Sequence, residues 1–333
     1  MSASSLIGRL PKAELHVHLE GTIEPGDMFT FARRNGVGLP WPDEGALRAA
    51  YSYRRLADFL QLFWQGCTVL QTREDLRDLA LNFLTRASRE GVRRAEIFFS
   101  PQNFLDRIRL GDQLDALTSA FEDARSDLSI DAALLVVAQR HRSETEALDL
   151  LEMMHPHRNR VLGVGLAGPE NGNPPAKFAR FFAVARDQGY RLTAHAGEEA
   201  PADYIRQALQ LCRVERIDHG LAAIDDPDVL ARLAGEQIPL TMCPLSNLRL
   251  QLIADLDDYP IRKFLAAGVP VTVNSDDPAY FGGYLTDNYQ ALIDALNLMD
   301  SEIISLVRSG FTSSFAEPDA IAAALAVVEA ATA

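Results

Sequence analysis

Only three cysteines, Cys67, Cys212 and Cys243, occur in 333 residues, and no two form a CxxC pair. That excludes a disulfide framework and a thiolate zinc site, and leaves reduced, partly buried thiols. No apolar run approaches the roughly 20 residues that cross a bilayer. The opening MSASSLIGRLPKAE lacks the apolar stretch of a secretory signal, so a cytoplasmic location is expected. Basic residues are scarce as well. Lys and Arg number 32 against 46 Asp and Glu, a formal net charge of -14. With no Lys/Arg-rich run to offset that charge, phosphate backbones and anionic lipids have little to hold, which argues against nucleic acid and membrane partners. No internal repeat or low-complexity tract is present.

What is there is an ordinary globular mixture. Apolar residues make up 47% of the chain and charged residues 23%, enough to build a sizeable core. Eight β-rich runs recur between longer helical patterns: AELHVHLEG, RRAEIFFS, DAALLVV, VLGVGLAG, YRLTAHAGE, RIDHGL, PLTMCPLSN and VPVTVNSDD. Strands alternating with helices imply parallel βαβ units, and eight of them predict an α/β fold of the (β/α)8 TIM-barrel type, a single domain over 1–333. The interval from about 22 to 92 is longer than one crossover helix requires. Its patterns MFTFARR, LADFLQLFWQGCTVL and EDLRDLALNFLTRAS predict a helical insertion after the first strand, beside the barrel mouth and placed to act as a lid. The tail PDAIAAALAVVEAATA predicts a closing helix.

In ELHVHLEG, His16 and His18 alternate along a strand, so both rings point the same way. An HxH alone is as readily two core histidines bonded to carbonyls as a metal site. Other polar residues also gather where β-rich runs end: Gln102, His195 and Glu198, Asp218 and His219, Ser246 and Asn247, Asp276 and Asp277. In a (β/α)8 barrel those ends share one mouth, where active sites are built. His16, His18, His195 and Asp276 together suit zinc, with a position left for water. Glu198 stands three residues past His195, where it can transfer protons to a substrate, though Glu199 offers the same chemistry and a helix cap is the plainer role. His219 can orient a water or take its proton, or simply bond Asp218. Asp276 and Asp277 face different directions, one toward metal and one toward substrate, and near a dication both can stay ionised. His155 and His157 in HPHRNR, ahead of a strand, belong to a solvated loop at the opposite end, and His141 in QRHRSE reads as a surface group.

The motifs HVHLEG, LAGPE, HAGEEA, RIDHG, CPLSN and NSDDPAYFGGY, in this order and over nearly the whole chain, resemble those of the adenosine and adenine deaminases in the metal-dependent amidohydrolase superfamily. The resemblance implies a zinc-dependent (β/α)8 barrel that replaces the 6-amino group of a purine by oxygen. It further implies one Zn2+ per chain, held by His16, His18, His195 and Asp276. Glu198 resembles the residue that protonates purine N1, His219 the one that assists the attacking water, Asp277 the partner of N7 and Gly168 the backbone donor to N3. The HxE and PCxxC signature of other zinc deaminases is absent, and VLGVGLAGPE offers no lysine for a second metal.

HLEGTIEP, CPLSN and NSDDPAYFGGY are similar to the adenine deaminase branch. Glu20 stands where adenosine enzymes carry an aspartate, and its extra methylene would fill the ribose space, favouring the free base. EIFFSPQNF and LAGPE depart from that branch. Ser100 in place of an aspartate, with Phe104 and Leu105 nearby, could widen or grease one wall, and Phe59, Phe63 and Trp64 could close over a substituent. The expected reaction is adenine to hypoxanthine and ammonia, with an N6-substituted adenine or adenosine as the alternatives. The expected partner is a small 6-aminopurine; a homo-oligomer is left open.

Overall fold

The computed structural model of the chain describes residues 3–53 and 55–332. Among the described residues, eight parallel strands lie in sequence order: β1 (Lys12–His18), β2 (Val92–Phe99), β3 (Asp131–Gln139), β4 (Gly163–Ala167), β5 (Arg191–Ala196), β6 (Arg216–His219), β7 (Leu240–Met242) and β8 (Val271–Val273). Each of the eight expected runs overlaps one of them. Covered on both faces, parallel strands lose the polar alternation of an open sheet; β3, DAALLVVAQ, is buried from Leu134 to its end.

The barrel closes between its last and first strands, and closure itself assembles part of the site. Beyond β8, Asn274 Oδ1 accepts the Leu15 N–H at 2.9 Å. One turn further, Asp276 N donates to His16 O and His18 N donates to Asp276 O, both at 2.9 Å. The bridge pairs Val17 with Asp276, so His16, His18 and Asp276 are brought side by side by backbone bonds. Asp276 holds φ +63 to do so, a left-handed conformation that aspartate tolerates better than most side chains.

The opposite case is β4 and β5. Their ladder stops after Val164 and Leu192, leaving the two strand ends unzipped near the mouth. Arg140, just past β3 and fully buried, enters the gap: Nη1 donates to His195 O at 2.8 Å and Nε to Asn173 O at 2.9 Å. Below the mouth, Glu96, Arg216 and Arg94 fill the barrel with buried ion pairs, Glu96 lying 2.6 Å from Arg216 and 2.8 Å from Arg94. The same carboxylate accepts the Phe315 N–H at 2.6 Å. A buried charge of this kind needs every partner it has.

Helix α1 (Ala3–Arg9) precedes β1. Between β1 and β2 run α2 (Pro25–Asn35), α3 (Glu44–Ala50), α4 (Leu56–Cys67) and α5 (Arg73–Arg89). A reciprocal Thr72–Asp75 capping box starts α5, which packs on β2 and on the helix Leu110–Leu128 as the crossover helix of the first βαβ unit. In α4, Leu56, Phe59, Leu60 and Phe63 fall on one face at spacings of three and four. That face lies over the barrel mouth. The closing helix is Pro318–Thr332, and all three cysteines are buried and free.

Glu14, on β1, is fully enclosed, and its carboxyl is pushed up from 4.5 to about 8, by burial above all, against hydrogen bonds from Ser275 and from the His16 N–H. A raised carboxyl pKa means that the folded chain keeps a proton the unfolded chain sheds between those values. Stability therefore falls as pH rises through that window, by up to about 1.4 kcal/mol per unit. Glu14→Gln imitates the protonated form. It is expected to flatten the pH dependence and to be more stable than wild type above pH 8, read as urea midpoints at about pH 6 and about pH 9. An unchanged slope in the variant contradicts this account of Glu14.

Candidate active site

At the C-terminal mouth, donors from β1, β5, β6 and the turn after β8 converge. Ligand atoms of His16, His195, His219 and Asp276 lie within 4.8 Å of one another, and so do those of His18, Asp276 and Asp277. His18 Nε2 is 3.1 Å from His195 Nε2 and 3.5 Å from Asp276 Oδ1; His16 Nε2 is 3.3 Å from the same oxygen. His16, His195, Asp276 and also His219 thus form one group, and His18 joins it through His195 and Asp276.

Hydrogen bonds behind the rings separate their roles. Asp218 is held well below the usual carboxylate range: burial opposes this, but the nearby His195, His16 and Arg216 outweigh it. An ionised carboxylate only accepts, so Thr241, whose hydroxyl donates to Asp218 Oδ1 at 3.0 Å, must accept from His16 Nδ1 at 2.8 Å. This assigns the His16 proton to Nδ1. Its Nε2, buried without a hydrogen-bond partner, keeps a lone pair facing the cluster. His195 Nδ1 lies 3.3 Å from Asp218 Oδ2 without forming a hydrogen bond, and its Nε2 faces His18. Backing of a ring by a carboxylate or hydroxyl, as Thr241 backs His16, is how metal-binding histidines are oriented.

His219 differs. Its Nδ1 faces the Asn247 amide nitrogen at 3.3 Å, and the amide is oriented by Tyr259, whose hydroxyl donates to Asn247 Oδ1 at 2.9 Å. The network therefore places the proton on His219 Nε2, 3.6 Å from Glu198 Oε1 and 3.8 Å from Asp276 Oδ2. His219, like Asp276, has a positive φ, +64, a strain of the kind that collects at working sites.

Burial drives the imidazoles toward neutrality: His18 falls to about 3, and His195 and His219 are also lowered. Neutral rings are what a metal requires. Burial also raises Glu198 well above 4.5, reinforced by the charges of Asp276, Glu170 and Glu199 and opposed by Arg140. A carboxyl group that keeps its proton near neutral pH is an acid ready to donate. The two aspartates part company. Asp276, 3.3 Å from His16 Nε2, 3.5 Å from His18 Nε2 and 3.8 Å from His219 Nε2, is held low against burial, whereas burial and the neighbouring Asp276 push Asp277 well up. Without a dication beside them, the two enclosed aspartates are driven in opposite directions.

The cluster opens into a narrow cavity whose wall mixes apolar and polar side chains, as small-molecule sites do. Glu198, His219, Asp277, Gly168, His18, His195 and Asp276 all line it, while His16 lies behind them, fully buried. Phe59, Phe63 and Trp64 line it as expected, joined by Leu56 and Leu60 of α4. Gly168 has φ +104, which other residues rarely adopt. Gly21 is required by close approach, since a Cβ there would meet Asp277 Oδ1 at 2.0 Å.

Several expectations change. Glu20 does not line the cavity: its Oε1 accepts the Ser100 N–H at 2.9 Å and the Asn103 amide at 3.2 Å, bracing the wall from behind. Ser100 does line it, but Phe104 stacks on Phe99 and, with Leu105, contributes nothing to the lining. His141 is exposed yet sits on the cavity rim, its ring 5.2 Å from Trp64. His155 is exposed in a short helical turn before β4, on the far side from the mouth. Sequence reasoning missed Gln139 and Arg140, inside the quoted QRHRSE, and Glu170, inside the quoted LAGPE, whose contacts lie 27 to 30 residues downstream.

A parallel barrel with imidazoles, carboxylates and a proton-bearing acid at its C-terminal mouth is of the (β/α)8 hydrolase class. The pattern of the adenosine deaminase family matches residues 11–331, and the chain belongs to that family. Within it, similarity lies with the adenine deaminases. The chain is 47% identical over 315 residues to the adenine deaminase of Rhodopseudomonas palustris, covering 93% of this chain and 91% of that one. The crystal structure of the Arthrobacter aurescens adenine deaminase superposes with a TM-score of 0.95 at 42% identity, covering 97% of this chain and all of that one. An amidohydrolase from Burkholderia ambifaria with bound Zn superposes at 0.91 with 27% identity, covering 99% and 93%.

Proposed function

We propose that this chain is a zinc-dependent adenine aminohydrolase, converting adenine and water to hypoxanthine and ammonia. The observation that carries the reading is Glu198 on the wall of a cavity that also exposes His18, His195 and Asp276, with burial raising its carboxyl well above the usual range. His16, His18, His195 and Asp276 are the ligands for one zinc. The orphaned His16 Nε2 and the facing Nε2 atoms of His18 and His195 are donors that fit a cation. His219, although near enough to share the ion, is kept out of the set because its contact with the Asn247 amide leaves the proton on Nε2. Zinc bound there supplies the Lewis acidity that makes a water nucleophilic near neutral pH.

The remaining work falls to the chain. Attack at purine C6 pushes electron density onto the ring, and Glu198 stabilises it by giving its proton to N1; as the C6–N bond breaks, one proton of the attacking water leaves on the amino group as ammonia and the other restores Glu198. His219 Nε2–H orients the attacking water. Asp277 partners N7, and the Gly168 backbone, held at φ +104, presents its N–H to N3. Glu20 limits the pocket indirectly, fixing Ser100 and Asn103. No helix among the described residues is long and apolar enough to cross a membrane; we place the enzyme in the cytoplasm.

The apolar face of α4 favours one second reading, a 6-aminopurine bearing a small N6-alkyl group. Ammonia or amine release from adenine, adenosine, N6-methyladenine and N6-isopentenyladenine by zinc-loaded protein separates the readings. Adenine is expected to have the highest kcat/KM, with preferences among the free bases of up to about 10–200-fold per methylene of fit. Adenosine turning over fastest contradicts the proposal.

A further inference from the structure

We infer that Glu170 is the positioning residue for Glu198: its buried carboxylate, bound by four consecutive backbone N–H groups, fixes the loop that presents Glu198 to the substrate. The inference rests on the reading of Glu198 as the proton donor.

The loop after β5 has no backbone partner for its own N–H groups. Gly197 turns it with φ +72, and a Cβ there would meet Ile205 at 2.5 Å. The turn aims successive N–H groups at one point, forming the concave anion-binding arrangement of a backbone nest. What fills it is the chain's own carboxylate. Gly197 N donates to Glu170 Oε1 at 2.6 Å; Glu198, Glu199 and Ala200 donate to Oε2 at 3.0, 2.8 and 2.9 Å. Glu170 is fully buried, and charge-assisted bonds of this kind are the strong ones.

The position of Glu170 explains why it is needed. It follows β4 by three residues, two past Gly168 on the cavity wall. The β4–β5 ladder has already stopped at Val164 and Leu192, so backbone pairing does not register the end of β4 against the end of β5. The Glu170 carboxylate spans that gap. It therefore sets the distance between two sides of the substrate pocket, Gly168 on one and Glu198 on the other. The same loop reaches α4, since Glu199 Oε1 accepts the Leu56 N–H at 3.4 Å.

Glu170→Gln keeps the volume and one acceptor oxygen but puts an NH2 group against N–H donors. It is expected to fold, retain zinc, lose about 10²-fold in kcat and leave KM for adenine nearly unchanged, as a small misplacement of a reacting group does. Amide hydrogen exchange of residues 197–200 should accelerate while the barrel strands stay protected. Combined with Glu198→Gln, it should cost little more than Glu198→Gln alone, because both act on one proton transfer. Should Glu170→Gln not fold, Glu170→Asp, which keeps the charge and withdraws it by one methylene, takes the same readings. Wild-type kcat, unchanged loop exchange, or full additivity with Glu198→Gln overturns the inference. Turnover retained by Glu198→Gln itself would remove the proton-donor reading and this inference together; Glu198→Gln impaired with Glu170→Gln unimpaired overturns this inference alone.

Discussion

Glu198→Gln is expected to retain the fold and the metal and to lose about 10²–10⁴-fold in kcat. Glutamine fills the same space and can offer an N–H to purine N1, so binding survives and KM changes little. It cannot release that proton, so the negative charge built in the ring by attack at C6 goes unneutralised. An interaction made only in the transition state shows as equal losses in kcat and kcat/KM. The burial that raises the Glu198 pKa is the reason a carboxyl group can serve as the acid at all. Ammonia release under saturating adenine, with metal content measured on the same samples, makes the check. Turnover near wild type removes Glu198 from the chemistry.

Asp276 carries the second large effect. It supplies an oxygen between His16 and His18 and also the backbone bonds that close the barrel onto β1. Side-chain and backbone roles must be separated by choice of variant. Asparagine tolerates the φ of +63 and keeps the shape, whereas alanine at that φ adds strain of about 1–2 kcal/mol. Both are expected to weaken zinc retention by more than about 10²-fold, beyond the 10–100-fold typical of losing a group that merely orients a ligand. Metal content after dialysis against graded chelator reads the loss. Undiminished zinc in both variants takes Asp276 out of the ligand set.

Much of this was legible in the sequence for a simple reason. Buried parallel strands are continuous apolar runs, so the polar residues at their ends stand out, and barrel geometry gathers those ends at one mouth. His16, His18, His195, Asp276, Glu198, His219 and Asp277 are all found at that mouth, and so is Gly168, which only the family resemblance singled out. Residues that act by reaching sideways were not legible. Glu170 serves a loop 27 to 30 positions away, and Arg140 fills a gap that exists only because a ladder stops early. Glu20 misled because its length was readable and its direction was not: the carboxylate turns to Ser100 and Asn103. His141 was read by its charged neighbours, but only the packing of α4 brings Trp64 beside it. The split between Asp276 and Asp277 depends on how many carboxylates share one enclosure, a count that requires the fold.

The central claim is that three imidazoles and one carboxylate from distant segments share one cation. Zinc K-edge absorption of the protein loaded with one equivalent of zinc tests it most directly. Three imidazole rings with oxygen completing the shell, and no sulfur, is the predicted spectrum; two or fewer imidazoles, or any sulfur scatterer, would contradict it.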